Sequence, residues 1–412
     1  MTRILRNARL AQTPQERVDI VISEGTIVAV GGDANAEGEG EGEVIELGGR
    51  LVVPGLVETH IHLDKAHIAD RCTIVRGDLA EAISEVARLK RGFTVADIAA
   101  RATAALRKSI AHGTMRMRTH VEVDPVIGLK GLAGVAAAAA AHRWAIDVEI
   151  CAFPQEGLFN NPGTDRLLLE ALEAGATVLG GAPYVDTDPH GQIDWIFETA
   201  RNHDVDIDLH LDFSLDATTL DVDHVCRRAD DHGWGGRVAV GHMSKLASLD
   251  PERLAATAER LAASGVAVTV LPATDLFLMG REHDHAVPRG VAPVHCLARH
   301  GVTCSLSTNN MMNPFTPYGD GSLMRIANLY ANVAQLGRAD ELADCLAMIS
   351  ATSARLMNLA DYGIRVGAPA DLLVLDARDP ATAVAEIAAP LMGFKRGRQS
   401  LTRPAATLHD PA

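Results

Sequence analysis

One pattern constrains this chain more than any other. A short β-branched or apolar run is followed by an amphipathic or alanine-rich stretch, eight times in succession. The runs are LVVPGLVETHIHLD, TMRMRTHVEV, WAIDVEICAFPQEG, ATVLGGAPYVD, DVDIDLHLDF, GRVAVGHMSK, GVAVTVLPATDL and GVTCSLSTNN. Strands separated by helices return to the same end of a sheet each time, so they pair in parallel. Eight such units between residues 55 and 364 predict an α/β fold, a (β/α)8 TIM-like barrel. The two ends of the chain read differently. In residues 1–54, RVDIVISEGTIVAVGG alternates around a Glu24-Gly25 turn as a hairpin does, and VIELGGRLVVPG reads as a further strand pair. GGDANAEGEGEGE between them reads as a flexible Gly/Glu-rich loop. In residues 365–412, ADLLVLDA and MGFKRGRQSL read as strands again. Both termini are therefore expected to build one small β-sandwich beside the barrel.

Composition excludes several classes of partner. Apolar residues make up 47% and charged residues 22%, ordinary values for a globular enzyme. The net charge of −15 repels phosphate backbones and anionic lipid, so nucleic acid and membrane are not expected partners. Aromatic residues at 4% argue against a base-stacking surface. The Ala136–Ala141 run is too short to span a bilayer and reads as a helix. Six scattered cysteines without a CxxC pair suit a reducing compartment, and MTRILRNARLAQ has no signal-peptide core; a cytoplasmic location is the expectation. The apolar face of GDGSLMRIANLYANVAQLG fits a core or a homo-oligomer interface equally well.

Barrels of this kind place their chemistry at the C-terminal ends of the strands. Here those ends carry His60, His62, His120, Gln155, Glu156, His210, His242 and Asn309. His60 and His62 stand two apart on one strand, so both imidazoles face one side. Taken alone, each histidine reads equally well as a buried, hydrogen-bonded residue. His120 reads more readily as a buried structural residue, whereas His60, His62, His210 and His242 at one barrel mouth point to a divalent ion held by three, with the fourth acting on substrate or water. Nitrogen and oxygen donors suit Zn²⁺ or Fe²⁺, and Mn²⁺ is compatible. Asp64, on the face of His60 and His62, and Glu156 are candidate acids or bases. Lys65 is a candidate cation for a carbonyl-bearing substrate, although a lysine at a strand exit is more often exposed. Asp212 reads equally well as a carboxylate that orients an imidazole and as one that caps a loop. Phe315, between Pro314 and Pro317, offers an aromatic wall for a planar ring. Asp275, Phe277 and Met279, at the end of the seventh run, read more readily as packing. His283 and His285 lie among charges and read as a solvated loop. The GDGS and EGEGEG clusters lack the strand–turn–helix context of a dinucleotide site.

These residues carry a resemblance. P-G-L-V-E-T-H-I-H-L-D at 54–64, R-T-H-V-E-V at 118–123, A-F-P-Q-E-G at 152–157, H-L-D at 210–212, His242 and N-P-F-T-P-Y-G-D-G at 313–321 resemble the metal-dependent amidohydrolase superfamily, in its cytosine deaminase-like branch. S-A-R-L-M-N-L-A-D-Y-G-I at 353–364 and G-A-P-A-D-L-L-V-L at 367–375 resemble its return into the small β-sandwich. The resemblance implies that His60, His62 and His210 hold the metal, that His242 contacts water or substrate, and that Gln155 binds an amide-like edge. Two positions depart from it. Phe213 stands where a proton-shuttling Glu is expected. Asn309 stands where an Asp would bind the metal and act as base, and it is followed by Asn310 in place of an acidic substrate-binding residue. Asn309 offers a carbonyl oxygen but no useful base. The expectation is a metal-dependent hydrolase of non-peptide C–N bonds in a small nitrogen heterocycle other than cytosine. A ring-opening cyclic amide or imide hydrolase and a catalytically silent ligand-binding relative are the alternatives.

Overall fold

The computed structural model describes residues 2–31, 42–404 and 406–409. Eight strands from the two ends of the chain form one mixed sheet: β1 (Arg3–Leu10), β2 (Val18–Ser23), β3 (Thr26–Gly31), β4 (Glu43–Glu46), β5 (Leu51–Pro54), β14 (Leu372–Leu375), β15 (Pro390–Lys395) and β16 (Arg398–Thr402). Its order is β16-β15-β14-β5-β1-β2-β3, with β4 also on β1. It encloses its own core of Leu5, Ile20, Ile22, Ile27, Val52, Leu372, Val374 and Phe394 as a small sandwich. The β2–β3 hairpin turns at Glu24 and Gly25 as expected. The expected β4–β5 pair does not form: each strand instead pairs with β1 in parallel. The reason is that β1 is long enough to offer Arg3–Arg6 to β4 and Arg9–Leu10 to β5. The Gly/Glu-rich loop lies largely outside the described residues.

The second sheet is all parallel and runs in chain order: β6 (Leu56–Ile61), β7 (Thr114–Glu122), β8 (Asp147–Phe153), β9 (Val178–Gly181), β10 (Asp206–Leu211), β11 (Val238–His242), β12 (Val266–Val270) and β13 (Cys304–Leu306). All eight anticipated runs contain one of these strands. The sheet curls into a (β/α)8 barrel and closes between β6 and the segment after β13, through a parallel bridge of Ile61 with Asn309. The strands are buried on both faces, as a helix-covered parallel sheet requires. On β10, Ile207, Leu209 and Leu211 pack in the large core, where Leu209 and Ile196 of the helix Pro189–His203 lie on either side of Gly181.

The other face of the strands fills the barrel with polar groups. Thr59, Ser305 and Ser307 form a hydroxyl cluster, with Thr59 Oγ1 2.8 Å from Ser305 and 2.7 Å from Ser307. Above it, Arg118 bridges Glu149 and Asp208 from three strands. The helix Ala351–Leu356 contacts β6 and β13. A cavity of about 700 Å³ beside it, lined by Val53, Pro54, Leu346, Ala351 and Tyr362, lies at the N-terminal end of the barrel, away from the histidines. No helix among the described residues is long and apolar enough to cross a membrane.

Leu209→Ala should destabilise the barrel by about 2–5 kcal/mol, because a fully buried side chain is removed between sheet and helix. Urea unfolding with a lowered midpoint and an unchanged slope is the expected reading.

Candidate active site

Sharp turns stand at or just past the C-terminal ends of three strands. His242 has φ 71°, Asn309 φ 61° and Asp212 φ 50°, a left-handed geometry costly for most residues and milder for Asn and Asp. Asn309 is fixed there by its backbone: its N–H donates to His60 O at 3.0 Å, and its O accepts from His62 N at 2.8 Å. Barrel closure and site assembly are thus one event.

His60, His62 and His210 converge. His210 Nε2 lies 3.1 Å from His60 Nε2 and 3.1 Å from His62 Nε2. Three nitrogens about 2.0–2.1 Å from one tetrahedral ion would stand roughly 3.3–3.4 Å apart. Phe153 stacks on His210 at 4.7 Å and 13° and holds its ring in place. Gly241 sits against His60, where a Cβ would come within 3.0 Å of the ring. Burial pushes these imidazoles down, His60 to about 3 and His62 and His210 well below the usual range, and their neighbours' charge adds to the effect. Neutral rings keep the lone pairs that a cation needs. Asn309 Oδ1 is buried without a hydrogen-bond partner, so a further oxygen donor is free at the same bridge. The donor set fits a divalent ion.

His242 completes the ring cluster, its centroid 5.6 Å from that of His210 and 6.1 Å from that of His60. Its Nδ1 is 2.7 Å from Asp275 Oδ1, which fixes the ring orientation and turns Nε2 away from Asp275. Burial disfavours charge on both partners: it holds His242 at about 3 and pushes Asp275 well above the usual carboxylate range. Phe213 lies over the His242 ring at 3.8 Å and shields it from water. Tyr184 packs edge-on to Phe213 at 5.8 Å.

Beside the imidazoles is a buried charge network. Lys65, 1% exposed, donates to Gln155 Oε1 at 3.0 Å and to Glu122 Oε2 at 3.3 Å. Its Nζ faces the rings of Phe153 and Phe315 at 5.2 and 5.8 Å. Lys90 pairs with Glu122 at 2.6 Å and also with Asp124 and Glu156. Burial alone would raise the Glu122 carboxyl, but the two lysines outweigh it and hold it at about 2.

Of the residues singled out from sequence, the structure brings His60, His62, His210, His242 and Asn309 to one end of the barrel, with Lys65, Gln155, Phe213 and Phe315 around them. Asp64 is not on the imidazole face: β6 ends at Ile61, and the Asp64 carboxylate turns to accept the Glu122 N–H at 2.9 Å. Glu156 is drawn off by Lys90 rather than aimed at the imidazoles. Asp212 orients no histidine; it accepts from Asp221 N and Val222 N and pairs with Lys245 at 3.0 Å. Asn310 accepts from Asn313 at 2.6 Å. Lys65 is buried, against its ordinary tendency. Asp275 is not a strand end but lies in the first turn of the helix Pro272–Leu278, from which it reaches His242. Phe277 is only partly buried, beneath Arg281. His283 and His285 lie on an exposed loop, as expected. Asp208, Arg118, Lys90, Glu122, Asp124 and Tyr184 were not foreseen. Asp208 was legible, since D-L-H puts it two before His210 on the same face; the others meet only across strands.

The profile of the amidohydrolase family matches residues 128–399. The chain belongs to this family. It is 29% identical to a pterin deaminase of Rhizobium rhizogenes over 88% of this chain and 83% of that one. It superposes on a crystal structure of 5-methylcytosine deaminase from Klebsiella pneumoniae liganded with 5-fluorocytosine with a TM-score of 0.94, at 29% identity over 100% of both chains. With N-isopropylammelide isopropylaminohydrolase of Burkholderia multivorans the TM-score is 0.85, at 30% identity over 97% of this chain and 98% of that one. This amidohydrolase is a metal-dependent hydrolase of non-peptide carbon–nitrogen bonds.

His210→Ala should abolish stoichiometric metal binding, read by elemental analysis of the purified protein, because one nitrogen joins both 3.1 Å contacts. Glu122→Gln should cost about 3–5 kcal/mol at neutral pH by leaving buried ammonium groups short of an anion. Against the effect of burial, the two lysines lower the Glu122 pKa in the folded chain, so its contribution is complete above the ordinary glutamate value of about 4.5 and is lost as pH falls toward about 2. The stability gap between the two proteins should close over that window in denaturant titrations.

Proposed function

We propose that this amidohydrolase removes an amine from a small, planar, carbonyl-bearing nitrogen heterocycle, with one divalent ion held by His60, His62 and His210 and Asn309 as a further oxygen donor. The observation that supports it most is the meeting of three imidazole Nε2 atoms beside a buried Lys65–Gln155 pair flanked by aromatic rings. Zn²⁺ and Fe²⁺ both suit these donors, and Mn²⁺ is compatible. When bound, the ion supplies Lewis acidity that makes water a nucleophile near neutral pH.

The chain's own residues supply the rest. Lys65 donates to a ring carbonyl oxygen and stabilises negative charge that gathers there; Glu122 keeps its ammonium in place. Gln155 reads an amide-like edge alongside it. Phe315 covers a face of the ring. In the reaction, a water oxygen bonds to the sp² carbon, the exocyclic C–N bond breaks, and the departing nitrogen takes a proton. Neither Phe213 nor Asn309 can hold that proton. His242 is the group placed to pass it: Asp275 anchors its Nδ1 and leaves Nε2 for the transfer, and because burial disfavours the charged ring the proton is handed on rather than kept. Asp64 and Glu156, bound elsewhere, have no part in this transfer. With Phe213 in place of an acid, cytosine itself is a poor fit, because its ring nitrogen needs a proton delivered there. The occupant is a small molecule; nucleic acid and membrane are unsuited to a chain of this charge, and a reducing, cytoplasmic setting suits its unpaired cysteines.

A panel of aminated oxo-heterocycles, with cyclic amides and imides included, tests this on protein loaded in turn with Zn²⁺, Fe²⁺ and Mn²⁺. Release of free amine from at least one ring is expected. Ring opening without amine release, or no turnover at full metal occupancy, would overturn the reading. Lys65→Met should lose about 1.5–3 kcal/mol of transition-state binding, the weight of a hydrogen bond to a charged group, measured as kcat/KM. The double variant Phe213→Glu with Asn309→Asp should gain turnover of cytosine-like rings.

A further inference from the structure

A second buried cluster shares His60 with the proposed metal site, and its other members, His120, Asp208 and Arg118, have no role in the steps above. His60, His120 and Asp208 are each 0% exposed, and Arg118 is 1% exposed. His120 stacks on His60 with centroids 3.8 Å apart and planes at 25°. Asp208 stands on β10, two residues before His210. Its Oδ2 accepts from Arg118 Nη1 at 2.9 Å. Its Oδ1 lies 3.3 Å from His120 Nε2 and 3.8 Å from His60 Nδ1. Asp208 Oδ1, His60 Nδ1 and both His120 ring nitrogens make no hydrogen bond of good geometry. Four buried polar atoms left in this way, in one place, are an unusual cost for a folded chain.

The chemistry of His60 says what the arrangement is for. Its Nε2 is turned to His210 and His62. An imidazole that gives Nε2 to a cation is neutral and carries its hydrogen on Nδ1, and that hydrogen needs an acceptor. The unpartnered Asp208 Oδ1 faces it. Charge points the same way. The donor set of three imidazoles and one carboxamide brings no anion to an ion of charge +2. Arg118 carries one positive charge between two close carboxylates, Glu149 at 2.8 Å and Asp208 at 2.9 Å. The group as a whole keeps an excess of negative charge beneath the imidazoles.

We propose that Asp208 is a positioning residue for the metal centre: it accepts the Nδ1 hydrogen of His60, aims that ring's Nε2, and supplies from behind the imidazole the anionic charge that Asn309 does not bring. Arg118 holds Asp208 from below, and His120 holds it from the side by packing on His60. This rests on the assignment of His60, His62 and His210 to a metal.

The test is the affinity of the full-length protein for Zn²⁺, measured by competition with a chromophoric chelator after metal removal, together with the visible spectrum of the Co²⁺-loaded form. Asp208→Asn keeps the volume and loses the charge. It should weaken Zn²⁺ binding about 10–100-fold, the usual effect of losing a partner of a ligating histidine, and should shift the Co²⁺ bands as the His60 bond changes. Glu149→Gln removes a carboxylate that touches Arg118 but no imidazole, and should weaken Zn²⁺ binding far less than Asp208→Asn and leave the Co²⁺ bands in place. Where Asp208→Asn fails to fold, the double variant Arg118→Met with Asp208→Asn removes both buried charges and should still bind weakly. Wild-type affinity in Asp208→Asn or in the double variant overturns the proposal, as does an equal loss in Glu149→Gln. Two equivalents of Zn²⁺ in the wild type, with only the second lost in Asp208→Asn, also overturn it, since Asp208 would then be a ligand itself. A wild-type protein that binds no Zn²⁺, Fe²⁺ or Mn²⁺ overturns the metal assignment and this proposal together.

Discussion

The barrel depends on the seam that closes it. A parallel sheet becomes a barrel only when its first and last strands meet, and here they meet through few contacts: Ile61 against Asn309, His60 O with Asn309 N, and His62 N with Asn309 O. Glu58 reinforces the seam. Its buried carboxylate accepts from Thr308 Oγ1 at 2.6 Å and from the Thr308 N–H. Burial pushes that carboxyl up to about 7, because these hydrogen bonds only partly offset the loss of water. The residues that close the barrel are the residues that carry the site, so a loosened seam would displace three metal-binding candidates at once.

A second constraint is electrostatic. The barrel interior holds Arg118, Asp208, Lys65, Glu122 and Lys90, all nearly without solvent contact. A charge taken from water is tolerated only when opposed and hydrogen-bonded. The chain meets this condition by crossing strands: Arg118 of β7 reaches Glu149 of β8 and Asp208 of β10, and Lys90 reaches Glu122 of β7 together with Asp124 and Glu156. These networks stiffen the floor and one wall of the site. They also engage Glu122, Asp124 and Glu156, whose partners are far from them in sequence.

Phe213 and Asn309 stand where the family resemblance led to an expectation of acidic groups, and a carboxylate reaches the site from elsewhere. Phe213 covers the ring of His242 instead of offering a proton. Asp275, thirty-three residues further along the chain, reaches the same ring from a helix rather than a strand. A histidine–carboxylate pair therefore occupies the side of the site where a single carboxylate was anticipated.

Much of this was legible in one dimension. Eight β-branched runs, each followed by a helical stretch, point to a parallel sheet buried on both faces, and the count of eight points to a barrel. Spacing of two in His60-Ile61-His62 puts two imidazoles on one face, since a strand repeats every second residue. The same rule made Asp208 readable beside His210. It misplaced Asp64, and of the two readings of Asp212 it is the loop cap that holds, because each lies past the end of its strand, where the alternation stops and the backbone turns. It also made a pair of β4 and β5, which in the folded chain lie side by side on β1. The sequence by itself determined the fold class and the histidines that face one another, since both follow from local periodicity. Which carboxylates stay free, which pair with Lys90 or Arg118, and that Asp275 rather than Asp212 holds a histidine were decided only by tertiary structure. Those contacts join strands and helices far apart in the chain, and burial leaves each charge no choice but the partner that the barrel brings to it.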